Sequence, residues 1–260
     1  MNIDKFVILL DTNAMSSLSL YIQTCASFEL EFGSAIEVIR DRLEEKLGSR
    51  VNEKFLAIEE LKKGYKVLKF LKSKKEQFPD EDSLEVYYSA LNEIELYNLF
   101  VERRLQQELA DNLVPMRVRD RYRSLGAQVL FDYQEEIISQ WSGVKEAMKR
   151  EYIKIKMAEE ELKSIGEIFG VAKKVMEKVS MGPIDLYIYS CALYVDADVI
   201  ISSDGEFKTI VNKIENGGKS TKSQDRWALI ARDIKSECAE LLGRSGEDEI
   251  ILPRCTNDES

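Results

Sequence analysis

The sequence predicts an α/β fold with a central parallel sheet and many surrounding helices. Three observations carry this reading. Two short apolar runs, FVILL at residues 6–10 and VIIS at 199–202, lack polar alternation, as strands buried on both faces do. Both runs exit on an aspartate, Asp11 and Asp204. Long stretches with helical spacing separate them, and strand, helix and strand alternate again in the last third of the chain.

The first run stops on Asp11 with Thr12 and Asn13 beside it, which puts a carboxylate at the edge of a core. From Ser16 to Phe78 helical patterns dominate. Val51, Phe55, Ile58, Leu61, Tyr65 and Leu68 recur at spacings of three and four, the signature of one buried face of a long amphipathic helix. Residues 54–75 carry eight lysines against Glu59 and Glu60, spread around the helix, as expected of a solvated surface rather than a phosphate track. FPDEDS, residues 78–83, reads as a turn, LEVYYSAL as a short strand running into a helix, and Asn92–Gln107 as that helix. Asn92 followed three residues later by Glu95 fits a capping box.

Pro115 opens a predicted helix, PMRVRDRYR, with Arg117 and Arg121 on one face and Arg119 and Arg123 on the next. This cluster suits either a surface salt-bridge helix or a contact to an RNA backbone. Helical spacing continues from Gln128 to about Val179. MGPIDLYIYSCALYVDADVIISSDGEF then predicts a turn, a helix over 184–194, a DAD turn, the second strand and the exit at Asp204. A helix over about 224–242, a final strand EIILP and a frayed polar tail at 254–260 complete the reading.

At 260 residues, with 44% hydrophobic and 32% charged residues, the chain has the composition of one elaborated globular domain spanning 1–260. No apolar segment approaches the roughly 20 residues that cross a bilayer, and a cytoplasmic, membrane-free protein is expected. Cys25, Cys191, Cys238 and Cys255 lie far apart, a spacing that suggests neither a disulfide framework nor a zinc cluster. The chain has no histidine, which excludes imidazole-based hydrolysis and histidine-ligated metals. Its net charge of -10 argues against broad nucleic-acid binding, although a local patch can override the total.

The acidic residues are the informative ones. In an open parallel sheet, functional groups gather at the carboxyl ends of strands, where Asp11 and Asp204 fall. Asp185 follows Pro183 in the first turn of a helix, where the positive end of the macrodipole favours an anion. Glu95 is a fourth candidate, with Glu93 as its competitor. Several carboxylates in one cleft repel each other unless a cation neutralises them, and Mg2+ or Mn2+, one ion or two, suits oxygen ligands. Such a centre hydrolyses phosphodiesters without histidine.

Four stretches, LLDTN, SALNEIEL, GPIDLYIYSCAL and ADVIISSDGEF, together resemble the PIN-domain ribonuclease family, which includes the toxins of bacterial and archaeal toxin–antitoxin pairs. The resemblance covers about a third of the chain. It implies a three-layer α/β/α fold around a parallel sheet, a Mg2+- or Mn2+-dependent endoribonuclease, and metal binding by Asp11, Glu95, Asp185 and Asp204. Thr12, Asn13, Ser202 and Glu206 match positions that commonly support the metal ligands in that family. An antitoxin or other regulatory protein and a homo-oligomer are implied as partners beside RNA. The chain is longer than a compact member, so about 17–85 and 109–165 read as helical elaborations. A DNA nuclease of the flap or 5′-exonuclease type and a catalytically silent scaffold are the competing readings. A haloacid-dehalogenase-like phosphatase is disfavoured, because the second aspartate it needs is here Asn13.

Overall fold

Strand β1 (Phe6–Leu10) occupies the middle of a sheet whose five strands all run parallel. The computed structural model describes residues 5–47, 51–80, 82–162, 165–219, 226–244 and 250–256. Helices α1 (Thr12–Ser27), α2 (Ile36–Leu47) and α3 (Val51–Gln77) follow β1 and lead to β2 (Leu84–Tyr88). Next come α4 (Ala90–Asp111), a four-residue α5 (Met116–Arg119), a 3-10 turn over 120–125, and α6 (Gly126–Arg150). Strand β3 (Ile155–Met157) precedes α7 (Ile165–Met176) and α8 (Pro183–Tyr194). Strand β4 (Val199–Ile201), α9 (Gly205–Gly218), α10 (Arg226–Leu241) and β5 (Arg254–Thr256) close the described order.

The strand order is β3-β2-β1-β4-β5. The chain therefore builds outward from β1 on one side, then returns to place β4 on the other, and the reversal leaves a crevice beyond the carboxyl ends of β1 and β4. Alternation along β1 supplies two cores. Val7 and Leu9 face the core formed with α7, α8, α9 and α10, whereas Ile8 and Leu10 face the one formed with α1, α2, α3, α4 and α6. Burial on both faces is why FVILL reads as a continuous apolar run.

Several boundaries differ from the sequence reading. Helix α4 is longer than Asn92–Gln107 at both ends: Ser89 caps its start, and it runs on to Asp111 with Asn112 at its C-cap. The expected helical run from Gln128 to Val179 is interrupted by β3, which pairs with β2 from Ile155 to Met157. The region 109–165 is therefore not solely a helical elaboration, since it contributes an edge strand. EIILP is not the final strand. Ile250 is buried, but Pro253 has no N–H to donate, and ladder pairing with β4 begins at Arg254. Residues 254–256 thus belong to the sheet rather than to a frayed tail, while 257–260 lie outside the described residues.

Strand β5 is pinned by Asn212 of α9, whose amide donates to the Cys255 carbonyl at 2.9 Å and accepts the Cys255 N–H at 2.7 Å. A side chain here takes the place of a neighbouring strand and closes a sheet edge. All four cysteines are buried free thiols. Among the described residues, no helix is long and apolar enough to cross a membrane.

Candidate functional site

The sheet itself positions the first carboxylate. The Asp11 N–H donates to the Ile201 carbonyl at 3.0 Å, which extends the β1–β4 ladder by one residue and sets Asp11 beside Ser202. Asp11 is 6% exposed and caps α1: its Oδ1 accepts the Thr12 N–H at 2.7 Å, and its Oδ2 accepts the Ser202 hydroxyl at 2.6 Å. The same Ser202 oxygen accepts the Asp204 N–H at 3.0 Å. Asp204 in turn caps α9, its Oδ1 accepting the N–H groups of Glu206 and Phe207 at 2.8 and 2.9 Å. Ser202, fully buried, therefore links the Asp11 carboxylate to the backbone of Asp204.

Glu95 arrives from α4. The capping box of that helix joins Ser89 to Asn92, not Asn92 to Glu95, and the expected assignment is corrected accordingly. Asn92 also donates from Nδ2 to the Thr12 hydroxyl at 3.0 Å, and that hydroxyl donates to Glu95 Oε2 at 2.6 Å. Capping thus leaves Glu95 free to take part in the cleft. Glu93 instead accepts the Tyr97 hydroxyl at 2.6 Å and does not line the cleft.

Asp185 is the third residue of α8, after Pro183 at its start. A Cβ on Gly182 would stand 3.3 Å from Asp185 Oδ2, so glycine leaves room for the carboxylate to fold back over the helix entrance. Asp11, Glu95, Asp185 and Asp204 all line one cleft of about 570 Å³, with Asn13 at its wall. Glu102, two turns beyond Glu95 on α4, adds a fifth carboxylate that sequence reasoning missed. Its spacing of seven from Glu95 was the available signal. Among the described residues, no lysine or arginine lines this cleft.

The electrostatics follow from that composition. Burial, opposed by the Ser202 and Thr12 hydrogen bonds and reinforced by the charges of Glu95 and Asp185, pushes the Asp11 carboxyl up to about 6. Burial and the charges of Asp204, Glu95 and Glu206 raise Asp185 above the ordinary carboxylate range. Glu206 is exposed at the start of α9, where its charge bears on Asp185 although it does not line the cleft. The donor set is all oxygen and net negative, which suits a hard divalent cation. Among the described residues, no group of three or more Asp, Glu or Cys side chains is arranged to hold a metal ion as the side chains stand.

The arginine cluster does not form the expected two helical faces. Helix α5 ends after four residues and a 3-10 turn follows, so the four-residue spacing no longer keeps residues on one side. Arg119 is buried and donates to the Val114 carbonyl at 2.9 Å, and Arg123 pairs with Glu102 at 3.4 Å. Arg117 and Arg121 remain exposed.

Two positioning residues carry no signal in the sequence. Glu159, in the turn after β3, accepts the Ala90 N–H and the Tyr187 hydroxyl, both at 2.9 Å, and ties the start of α4 to α8. Arg103 donates to the Ser16 carbonyl at 3.2 Å and to its hydroxyl at 2.6 Å, binding α4 to α1. No family model, curated protein or solved structure matches the chain.

Proposed function

We propose that the chain is a PIN-like, Mg2+- or Mn2+-dependent endoribonuclease that hydrolyses RNA phosphodiesters in the carboxylate cleft. The observation that carries this reading is the meeting of Asp11, Glu95, Asp185 and Asp204 in one cleft at the switch point of a parallel sheet. The donor chemistry fits a divalent cation, because burial and, after it, the charges of neighbouring carboxylates raise Asp11 and Asp185, and a bound positive charge offsets both. The four carboxylates would hold the ion, which supplies a charge that polarises the phosphoryl group and makes water a better nucleophile.

The chain's own residues do the positioning. Ser202 fixes the orientation of Asp11 and the backbone entry to Asp204. Asn92 holds Thr12, and Thr12 holds Glu95, so the α4 carboxylate is oriented from the same α1 terminus that Asp11 caps. Asn13 stands at the cleft wall as a neutral donor for a phosphate oxygen.

The test is cleavage of a mixed RNA pool with Mn2+, against a chelator control and the Asp11→Asn variant. The expected outcome is chelator-sensitive cleavage that falls at least about 100-fold in the variant, the scale of removing one electrostatic stabiliser. Intact RNA with the parent protein, or equal cutting by Asp11→Asn, sinks the reading. Preferential cutting of branched DNA moves the chain to the flap-nuclease class.

A further inference from the structure

Two further clefts continue from the acidic one along α3. The nearer, about 310 Å³, shares Asn13 with the carboxylate cleft and sets Ser17, Ser202 and Ser203 against Lys62, Lys63 and Lys66, with Glu59 also in its lining and Lys63 paired with Glu60 at 2.6 Å. The farther, about 1000 Å³, shares Lys62 and Lys66 with it and adds Tyr65, Lys69, Phe70 and Lys74, with Arg254 of β5 on the opposite wall. Shared lining residues, Asn13 and then Lys62 and Lys66, make the three clefts neighbours in series between the carboxylates and β5.

The lysines of α3 are not evenly spread, which corrects the sequence reading. Lys62, Lys66 and Lys69, followed by Ser73 and Gln77, recur at spacings of four and three and line the same cleft. Lys72 instead pairs with Glu151 at 2.8 Å, and Lys75 donates to the Asp80 carbonyl at 2.9 Å. Among the described residues, Lys62 meets Glu59 at 2.8 Å, whereas Lys66 and Lys69 meet no carboxylate. Between these cations stand two half-buried aromatic rings, Tyr65 and Phe70.

We infer that this face of α3 is a track for single-stranded RNA, which it leads past Asn13 to the carboxylate cleft; the choice of RNA rests on the ribonuclease reading. Exposed lysines on one face bind successive phosphates, and aromatic rings among them offer stacking that only unpaired bases can use. From Lys62 to Gln77 the helix rises about 22 Å, enough for on the order of four nucleotides. A local cationic strip also reconciles RNA with the net charge of -10, since attraction is needed only along the path.

The test is fluorescence anisotropy with a labelled single-stranded RNA of about 12 nucleotides in chelator, so that nothing is cut. The combined variant Lys62→Ala, Lys66→Ala and Lys69→Ala is expected to bind at least tenfold more weakly. The slope of log affinity against log salt becomes shallower by about 2, because each phosphate contact on a single strand contributes about 0.7. Replacing the same three lysines by arginine retains affinity and slope, and Asp11→Asn binds at least as tightly as the parent. Parent-like affinity and slope in the alanine variant overturns the track, as does tighter binding of duplex RNA or single-stranded DNA. Lysine-dependent binding without cleavage in Mn2+ keeps the track and sinks the ribonuclease reading. Cleavage with lysine-independent binding does the reverse.

Discussion

Asp11 is the residue on which several demands converge. It ends a buried strand, caps a helix and accepts two hydrogen bonds, yet burial still pushes its carboxyl up to about 6. In the unfolded chain the same group titrates near 3.8, so between those values the unfolded state sheds its proton first. Stability from this group therefore falls as pH rises from about 4 to 6 and stays low above, by on the order of 3 kcal/mol. Asp11→Asn removes that cost. The metal-free variant is expected to melt several degrees above the parent at pH 8 and level with it at pH 4, as read by circular dichroism. Equal melting temperatures at pH 8 would contradict the assigned cause. At this scale much of the site was legible: a carboxylate after an all-apolar run, or just after a helix-opening proline, stands out. Glu95 was ambiguous because a residue three places after Asn92 can serve a cap or a cleft. Only the placement of Ser89 shows which role capping leaves to it.

At the scale of elements, α3 matters most, and its approach to α1 depends on one glycine. A Cβ on Gly64 would overlap the Ser17 carbonyl and the Tyr21 side chain. Gly64→Ala is therefore expected to destabilise the fold by about 1–3 kcal/mol, despite the higher helix propensity of alanine. Urea unfolding checks this, and a neutral or stabilising effect would mean the two helices separate at little cost. Long helices and β1 were readable because periodicity accumulates over many residues. Strand β3 was not, since the three residues Ile155, Lys156 and Met157 give alternation too few positions to register. The α3 lysine face was missed for a related reason. Eight lysines look dispersed until the fold shows which of them share a groove.

For the molecule as a whole, the proposed cation links site and stability. A ligand bound only by the folded state adds about 2.7 kcal/mol at a hundredfold excess over its dissociation constant. Mn2+ is therefore expected to raise the melting temperature of the parent by several degrees at pH 8. The shift shrinks at pH 5, where Asp11 holds its proton, and is absent in Asp11→Asn. No shift in the parent at pH 8 would remove the metal from the account.

The hydrogen bond from Ser202 to Asp11 joins residues 191 positions apart. At roughly 5–20 residues per second, a ribosome making the chain runs for on the order of ten seconds or more after Asp11 emerges before Ser202 exists. During that interval β1 has no β4 beside it, and Asp185 and Asp204 are still unmade. The partial chain can hold α1 and α3 but not the four-carboxylate cleft. The carboxylate cleft is therefore among the last parts of the fold to be completed, since Asp204, its most C-terminal carboxylate, must be made before the four can meet.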